Sequence, residues 1–358
     1  MPTALRRALV LLVSLTLPLP LTAQRVLGTV LRPDSTTPAP QVLVEWRVGR
    51  GAPQRVLTDS RGRFAIVLSA PDSVTLRVLR PGFRAQQWPA LFVGATATLE
   101  PRLVLQDQTV VLATVRVDAR GACTGRADGA GVTLFEQVRV AIQSASLAER
   151  DPMLRIEAVE YEGEATASGA LVVRDSSLRL SPGSVQRRPA ALDSIFRFGY
   201  VRRTRDTSYY EAPTPDVLAD ARFANGYCFA MVPADSAPEG LHGVRFVPQR
   251  RPGPGIADIT GTFWVDRDQL LLRTVEYSYL NVPAHHRANG LGGHLEYAVL
   301  PSGHWLLREW VVRMPNLRGG INLFAQGLTV FGVYEDGVTL FADSAGAALA
   351  ARRPVPGR

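Results

Sequence analysis

The chain has no lysine: its 40 basic residues are all arginine. A Walker-type phosphate lysine, a Schiff-base lysine and a pyridoxal site are therefore excluded. No G-x-S-x-G elbow occurs either, so the exposed strand–turn–helix serine of hydrolases is not encoded. Long apolar runs are nearly absent. The one run, Ala8 to Leu21, is interrupted by Pro18 and Pro20 and is too short to span a membrane as a helix. Arg6 and Arg7 precede it and Thr22-Ala23-Gln24 follows, which predicts a secretory signal peptide over residues 1–23. Leu21 leaves the cut open by one residue. No cysteine follows the run, so a lipid anchor is not indicated. The expectation is an exported protein of the periplasm or of the outer-membrane or cell surface.

Cysteine is scarce as well, with only Cys123 and Cys228. In an oxidising compartment an even count favours one disulfide over two separate buried thiols. Closing a loop of on the order of 100 residues would contribute at most about 4–5 kcal/mol in the chain-entropy picture. The five histidines all lie between His242 and His304. His285, His286 and His294 are close in sequence, and Glu296 shares a strand face with His294. A zinc site needs three or four converging ligands, and this spacing matches no known signature. None of the five has a glutamate three positions later, so the zinc-carboxypeptidase pattern is missing. Asp266 and Asp268 read as a tight turn. Gly290-Leu291-Gly292-Gly293 reads as a hairpin approach, because it precedes a strand and lacks lysine. No catalytic residue, cofactor or metal is assigned, and the expectation is a protein that is not an enzyme.

The net charge is +8 and falls to +6 once Arg6 and Arg7 are removed. The arginines alternate with apolar residues along the chain. They read as solvated strand faces with a mild bias toward anionic partners such as lipid headgroups or acidic glycans. No long basic run is present, which argues against nucleic acid.

The fold class is mainly β. Residues 24–106 show short strands with turn signals about every ten residues, as in a β-sandwich. Val42, Val44 and Trp46 point one way, Leu43 and Glu45 the other. Residues 107–131 form a linker and a Gly-rich loop that holds Cys123. Thr133 and Glu136 have capping-box spacing, and Leu134, Val138, Ala141, Ala145 and Ala148 recur at helical spacing until Asp151-Pro152. One amphipathic helix is expected there, packing on a core. About nine strands follow, including the stretch SIFRFGYVRRT, with a helical turn or two at 216–223 capped by Asp216. Residues 132–341 thus read as a helix plus a larger antiparallel sheet, curved or half-barrel, and 342–358 as a disordered tail.

Gly28-Thr29-Val30, the T-D-x-x-G-x-F turn from Thr58 to Phe64 and the L-x-V-x-x-x-G-F strand from Leu76 to Phe83 resemble a carboxypeptidase regulatory-like domain, a transthyretin-like sandwich grouped with carbohydrate-binding-like folds. That resemblance implies an accessory module without catalytic residues. The pattern from Ile259 to Asp266, Leu272 to Tyr277, Gly303-His304-Trp305 and Trp310 to Pro315 is similar to uncharacterised envelope proteins that join such a domain to a β-rich one. More loosely, the second half resembles the half-barrel of periplasmic lipoprotein carriers.

The aromatics Trp264, Tyr277, Tyr279, Tyr297, Trp305 and Trp310 crowd one region. They are candidates for a glycan or lipid platform, or for the packing of a half-buried sheet. The functional expectation is a binding or scaffold module, with a glycan, a lipid or another envelope protein as partner and peripheral membrane contact open. The alternatives are a carrier of an acyl or lipoprotein ligand in the C-terminal half-barrel and a small outer-membrane barrel.

Overall fold

A computed structural model describes residues 24–107, 129–151, 153–165, 171–182, 192–204, 208–250, 253–282, 290–315, 323–335 and 337–351. The expected signal peptide, Cys123, His285 and His286 lie outside the described residues.

The first nine strands build two small sheets. In one, β1 (Gln24–Leu31) pairs antiparallel with β4 (Arg63–Leu68) and parallel with β8 (Thr98–Leu99) and β9 (Arg102–Val104). In the other, the order is β3 (Gln54–Leu57), β2 (Leu43–Val48), β5 (Asp72–Leu79), β6 (Gln86–Gln87), with β7 (Leu91–Val93) also on β5. Val26, Val30, Ile66, Val44, Leu76 and Val78 fill the space between them. Period-two alternation sends these residues inward and Arg25, Leu27 and Arg63 out. The motif residues are coupled in space. Gly28 pairs with Phe64, and a side chain on Gly28 would collide with the Phe64 ring at 2.1 Å. Asp59 Oδ1 accepts from the backbone of Arg61 and Arg63 at 2.9 and 2.8 Å. Gly62 takes φ +70° where a Cβ would lie 2.5 Å from the Val30 carbonyl oxygen, a place only glycine fills comfortably.

The second half is one ten-stranded antiparallel sheet. Its order is β11 (Leu171–Pro182), β10 (Leu154–Ala165), β20 (Leu323–Glu335), β19 (Trp305–Pro315), β18 (Gly292–Val299), β17 (Leu272–Leu280), β16 (Asp258–Asp266), β15 (Leu241–Pro248), β14 (Tyr227–Met231), with β21 (Val338–Ala342) on β20. Among the described residues β11 and β14 remain edges and the sheet does not close. The expectation of a small outer-membrane barrel is therefore corrected: closure would need those two strands paired.

One long helix, α1 (Gly129–Ala148), covers the inner face. Leu134, Phe135, Val138, Ala141, Ile142 and Ala145 bury against the sheet. Phe135 stacks on Phe229 of β14 with centroids 3.7 Å apart and meets Phe263 of β16 at 5.6 Å. On its other side Val140 packs with Leu43 and Leu79 of the sandwich. The helix is thus a shared wall.

Several local expectations are corrected. The helix starts one turn before the supposed capping box: Thr133 Oγ1 donates to the Gly129 carbonyl at 2.7 Å and Glu136 pairs with Arg139. Gly131 lies so close to the backbone of Phe229 and Ala230 that packing fixes this earlier turn. SIFRFGYVRRT is a short helix, α2 (Leu192–Phe198), followed by β12 (Val201–Arg203), which pairs with β13 (Ser208–Tyr210). The helical turns near 216–223 are α3 (Pro215–Ala219) and α4 (Ala221–Gly226). Thr214, not Asp216, caps the first, with Pro215 in its first turn, and Asp220 caps the second. The tail is not frayed throughout, since α5 (Ser344–Ala350), capped by Asp343, lies against β20 with Gly346 on Phe331.

Candidate functional site

Strand alternation in the large sheet assigns each side chain to one of two faces. On β16, Ile259, Phe263 and Val265 point to the helix, so Thr260, Thr262 and Trp264 point away. On β17, Val275, Tyr277 and Tyr279 point in, and Thr274, Glu276 and Ser278 point out. Register then lines up Arg245, Thr262, Glu276 and His294 across four adjacent strands.

This outer face holds an open concavity of about 830 Å³. Its wall carries Trp264, the hydroxyls of Ser236, Thr260, Thr262, Thr274 and Ser278, and the charged groups of Arg245, Glu276 and Arg313, with His294 alongside. Gly261 and Gly293 contribute no side chain to its floor. Trp264 Nε1 donates to Glu276 Oε2 at 2.8 Å, which fixes the indole over the strand and leaves its ring as the apolar part of the site. Such a mix of one aromatic face with fixed donors and acceptors suits a polar, hydroxyl-rich ligand.

At one end His294 Nε2 lies 3.3 Å from Glu309 Oε2. The other oxygen, Oε1, accepts from Tyr161 at 3.0 Å and Thr329 at 2.7 Å. Burial pushes the Glu309 carboxyl up, but the hydrogen bonds from His294, Thr329 and Tyr161 outweigh it and hold the group below the usual carboxylate range. Glu309 therefore stays ionised and orients His294 at the wall.

The six candidate aromatics do not form one platform, and that reading is corrected. Tyr277, Tyr279, Tyr297, Trp305 and Trp310 are buried in the helix-facing core, each no more than 7% exposed. Only Trp264 stands on the outer face. The reason is parity, since crowding in sequence does not survive projection onto two faces. Tyr277 donates to the Val311 carbonyl at 3.2 Å and Tyr279 to the Glu211 carbonyl at 2.9 Å, roles in packing and satisfaction.

The histidines do not converge. His242 sits on β15, pushed down by burial and then by Arg267. His294 joins Glu309 while Glu296 pairs with Arg308 at 2.8 Å. His304 is buried, with Ser302 Oγ 2.7 Å from Nδ1. Among the described residues no group of three His, Cys, Asp or Glu could hold a metal ion. Asp266 caps its own turn: Oδ1 accepts from the backbone of Asp268 and Gln269, and Oδ2 pairs with Arg273 at 3.0 Å. Arg245, Glu276, Glu309 and Arg313 escaped sequence reasoning. The signal that could have found three of them was the charged neighbour of an inward aromatic: Arg245 before Phe246 on β15, Glu276 before Tyr277 on β17 and Glu309 before Trp310 on β19.

No helix among the described residues is long and apolar enough to cross a membrane. No family model matches the chain, and no curated protein matches it. The chain is similar to several solved structures. A DUF1329 family protein from Desulfovibrio piger is 12% identical, with 57% of this chain and 93% of that one covered and a TM-score of 0.28. A putative outer membrane lipoprotein-sorting protein domain from Vibrio parahaemolyticus is 14% identical over 57% and 92%, at 0.26. A putative carbohydrate binding protein from Bacteroides uniformis is 9% identical over 72% and 96%, at 0.22. At these TM-scores none of them carries a functional assignment.

Proposed function

We propose that the chain is an exported, non-enzymatic binding protein of the bacterial envelope that takes a glycan on the outer face of its large sheet. The observation that carries the reading is the concavity walled by Trp264, five hydroxyl side chains, Glu276 and Arg245. A sugar offers an apolar ring face for the indole and hydroxyls for the polar wall. Export rests on the leader pattern of residues 1–23. The sandwich, read as a carboxypeptidase regulatory-like module, serves as the accessory domain that backs α1.

A second reading, a carrier of an acyl or lipoprotein ligand, is favoured by the arrangement of one long helix on the inner face of an open sheet. Around Phe135 that space is filled by Phe223, Phe229, Phe246 and Phe263, so a ligand there would have to displace aromatic side chains.

The test is a glycan array with the purified mature protein, followed by titration of tryptophan fluorescence. Saturable binding of a glycan, with no turnover of peptide, ester or glycoside substrates, is the expected outcome. Hydrolysis of any of these, or binding of a fluorescent fatty acid with no glycan bound, overturns the reading.

A further inference from the structure

A second cleft lies where the sandwich meets the helix. It holds about 210 Å³ between β2, β3 and β5 on one side and the Glu136–Gln143 face of α1 on the other. The apolar contact of Leu43, Leu79 and Val140 lies beside it, and the Gly82 backbone N–H donates to Gln137 Oε1 at 3.1 Å across the seam. Both halves are therefore fixed where the cleft opens.

Its charges do not cancel. Four arginines, Arg55, Arg77, Arg80 and Arg139, face two carboxylates, Glu45 and Glu136. Arg55 is taken by Glu45 at 2.8 Å and Arg139 by Glu136 at 2.5 Å. Arg77 and Arg80 are left without an ion pair among the described residues. Arg80 is the telling one. Its Nη1 is sealed from solvent without a hydrogen-bond partner. The Phe83 ring lies 5.5 Å from its guanidinium carbon, a favourable contact. Burial, and then the like charge of Arg32, both work against its positive charge. A half-buried guanidinium with one sealed, unpaired N–H group is costly in the folded state. The fold nonetheless holds it at the cleft, next to Arg77, whose register partner Glu45 is taken by Arg55.

We propose that this seam is a binding site for a small phosphate-type oxyanion, gripped by Arg80 and Arg77 between the sandwich and α1. Guanidinium forks match phosphate oxygens two at a time, and charge-assisted bonds of this kind are the strong ones. The phosphate comes either free or as the headgroup of an anionic lipid; the chemistry at the arginines is the same. The site is separate from the outer-face concavity, so either can fail alone.

The test uses the mature protein at fixed ionic strength in chloride. Isothermal titration with inorganic phosphate reports the free ion. Co-sedimentation with phosphatidic acid vesicles against phosphatidylcholine vesicles reports the headgroup. Saturable binding in either arm is expected, weakened about tenfold or more by Arg80→Gln through loss of charge-assisted hydrogen bonds. Arg77→Gln, at an exposed position that folding tolerates, is expected to weaken it less, and Trp264→Ala to leave it unchanged. No saturable binding of either probe overturns the site, as does binding that both arginine variants leave intact. If Arg80→Gln does not fold, the Arg77→Gln result decides.

Discussion

Trp264 and Glu276 stand on adjacent strands of the outer face, the indole nitrogen donating to the carboxylate at 2.8 Å. Glu276 thus holds the ring rather than leaving it free to turn. Trp264→Ala is expected to abolish glycan binding, and Glu276→Gln to weaken it by about tenfold while leaving the fold intact, since both residues are on the solvent side. Fluorescence and calorimetric titration of the two variants, with circular dichroism as the folding control, checks this. Unchanged affinity in Trp264→Ala would remove the indole from the site.

Phe135 and Phe229 anchor the helix on the sheet. Phe135→Ala is expected to cost about 3–5 kcal/mol, the range for truncating a fully buried aromatic. A urea titration reads it as a lower midpoint. A loss below about 1 kcal/mol would mean that the site collapses around the gap or that helix docking contributes little.

Glu309 and His304 are the more buried of the groups that give the stability curve an acid limb, beside Asp59, Asp220, Asp266 and His242, which are also lowered in the fold. Glu309 lies below its ordinary value of 4.5 in the folded chain. The unfolded chain takes up that proton first, so the contribution is complete above 4.5 and is lost as the pH falls toward the folded value. His304 is pushed below its ordinary 6.5 by burial; its neutral form belongs to the fold, and protonation favours unfolding as the pH drops beneath 6.5. Asp258 acts oppositely, because burial raises its carboxyl, and its contribution fades as the pH rises. The expectation is a Tm that falls from about pH 7 to about pH 4. Glu309→Gln should flatten the lower part of that fall and His304→Asn the upper. A limb untouched by both would assign it elsewhere.

Cys228 is the second residue of β14, and no free thiol is found among the described residues. The partner required by the sequence, Cys123, lies outside them, so the bridge is a prediction. Non-reducing peptide mapping of protein exported to an oxidising compartment should show one Cys123–Cys228 peptide. Alkylation of both thiols in the native protein would show that the pair is not joined.

The strand-rich halves, the core stripe of α1 and the Asp59–Gly62 turn were legible in the sequence because each depends on neighbours within a few residues. A two-residue alternation, a helical repeat, or a glycine forced to φ +70° by a tight turn is local information. Even the Gly28–Phe64 contact leaves a trace, since both belong to one short motif set. The start of α1 was not legible. It is set by Gly131 resting on Phe229 and Ala230, about a hundred residues along the chain. The outer face with its concavity was not legible either. Trp264, Tyr277 and Trp310 are equivalent as aromatics in the sequence, but strand register alone decides that the first faces solvent and the other two face the helix. Register is fixed by the whole open sheet packing over one core, and a shift of one residue would exchange the two faces. The uncompensated charge of Arg80 is tertiary in the same sense. Arginines are scattered along the whole chain, and only the docking of α1 on the sandwich brings this one into a seam whose two carboxylates, Glu45 and Glu136, are taken by Arg55 and Arg139.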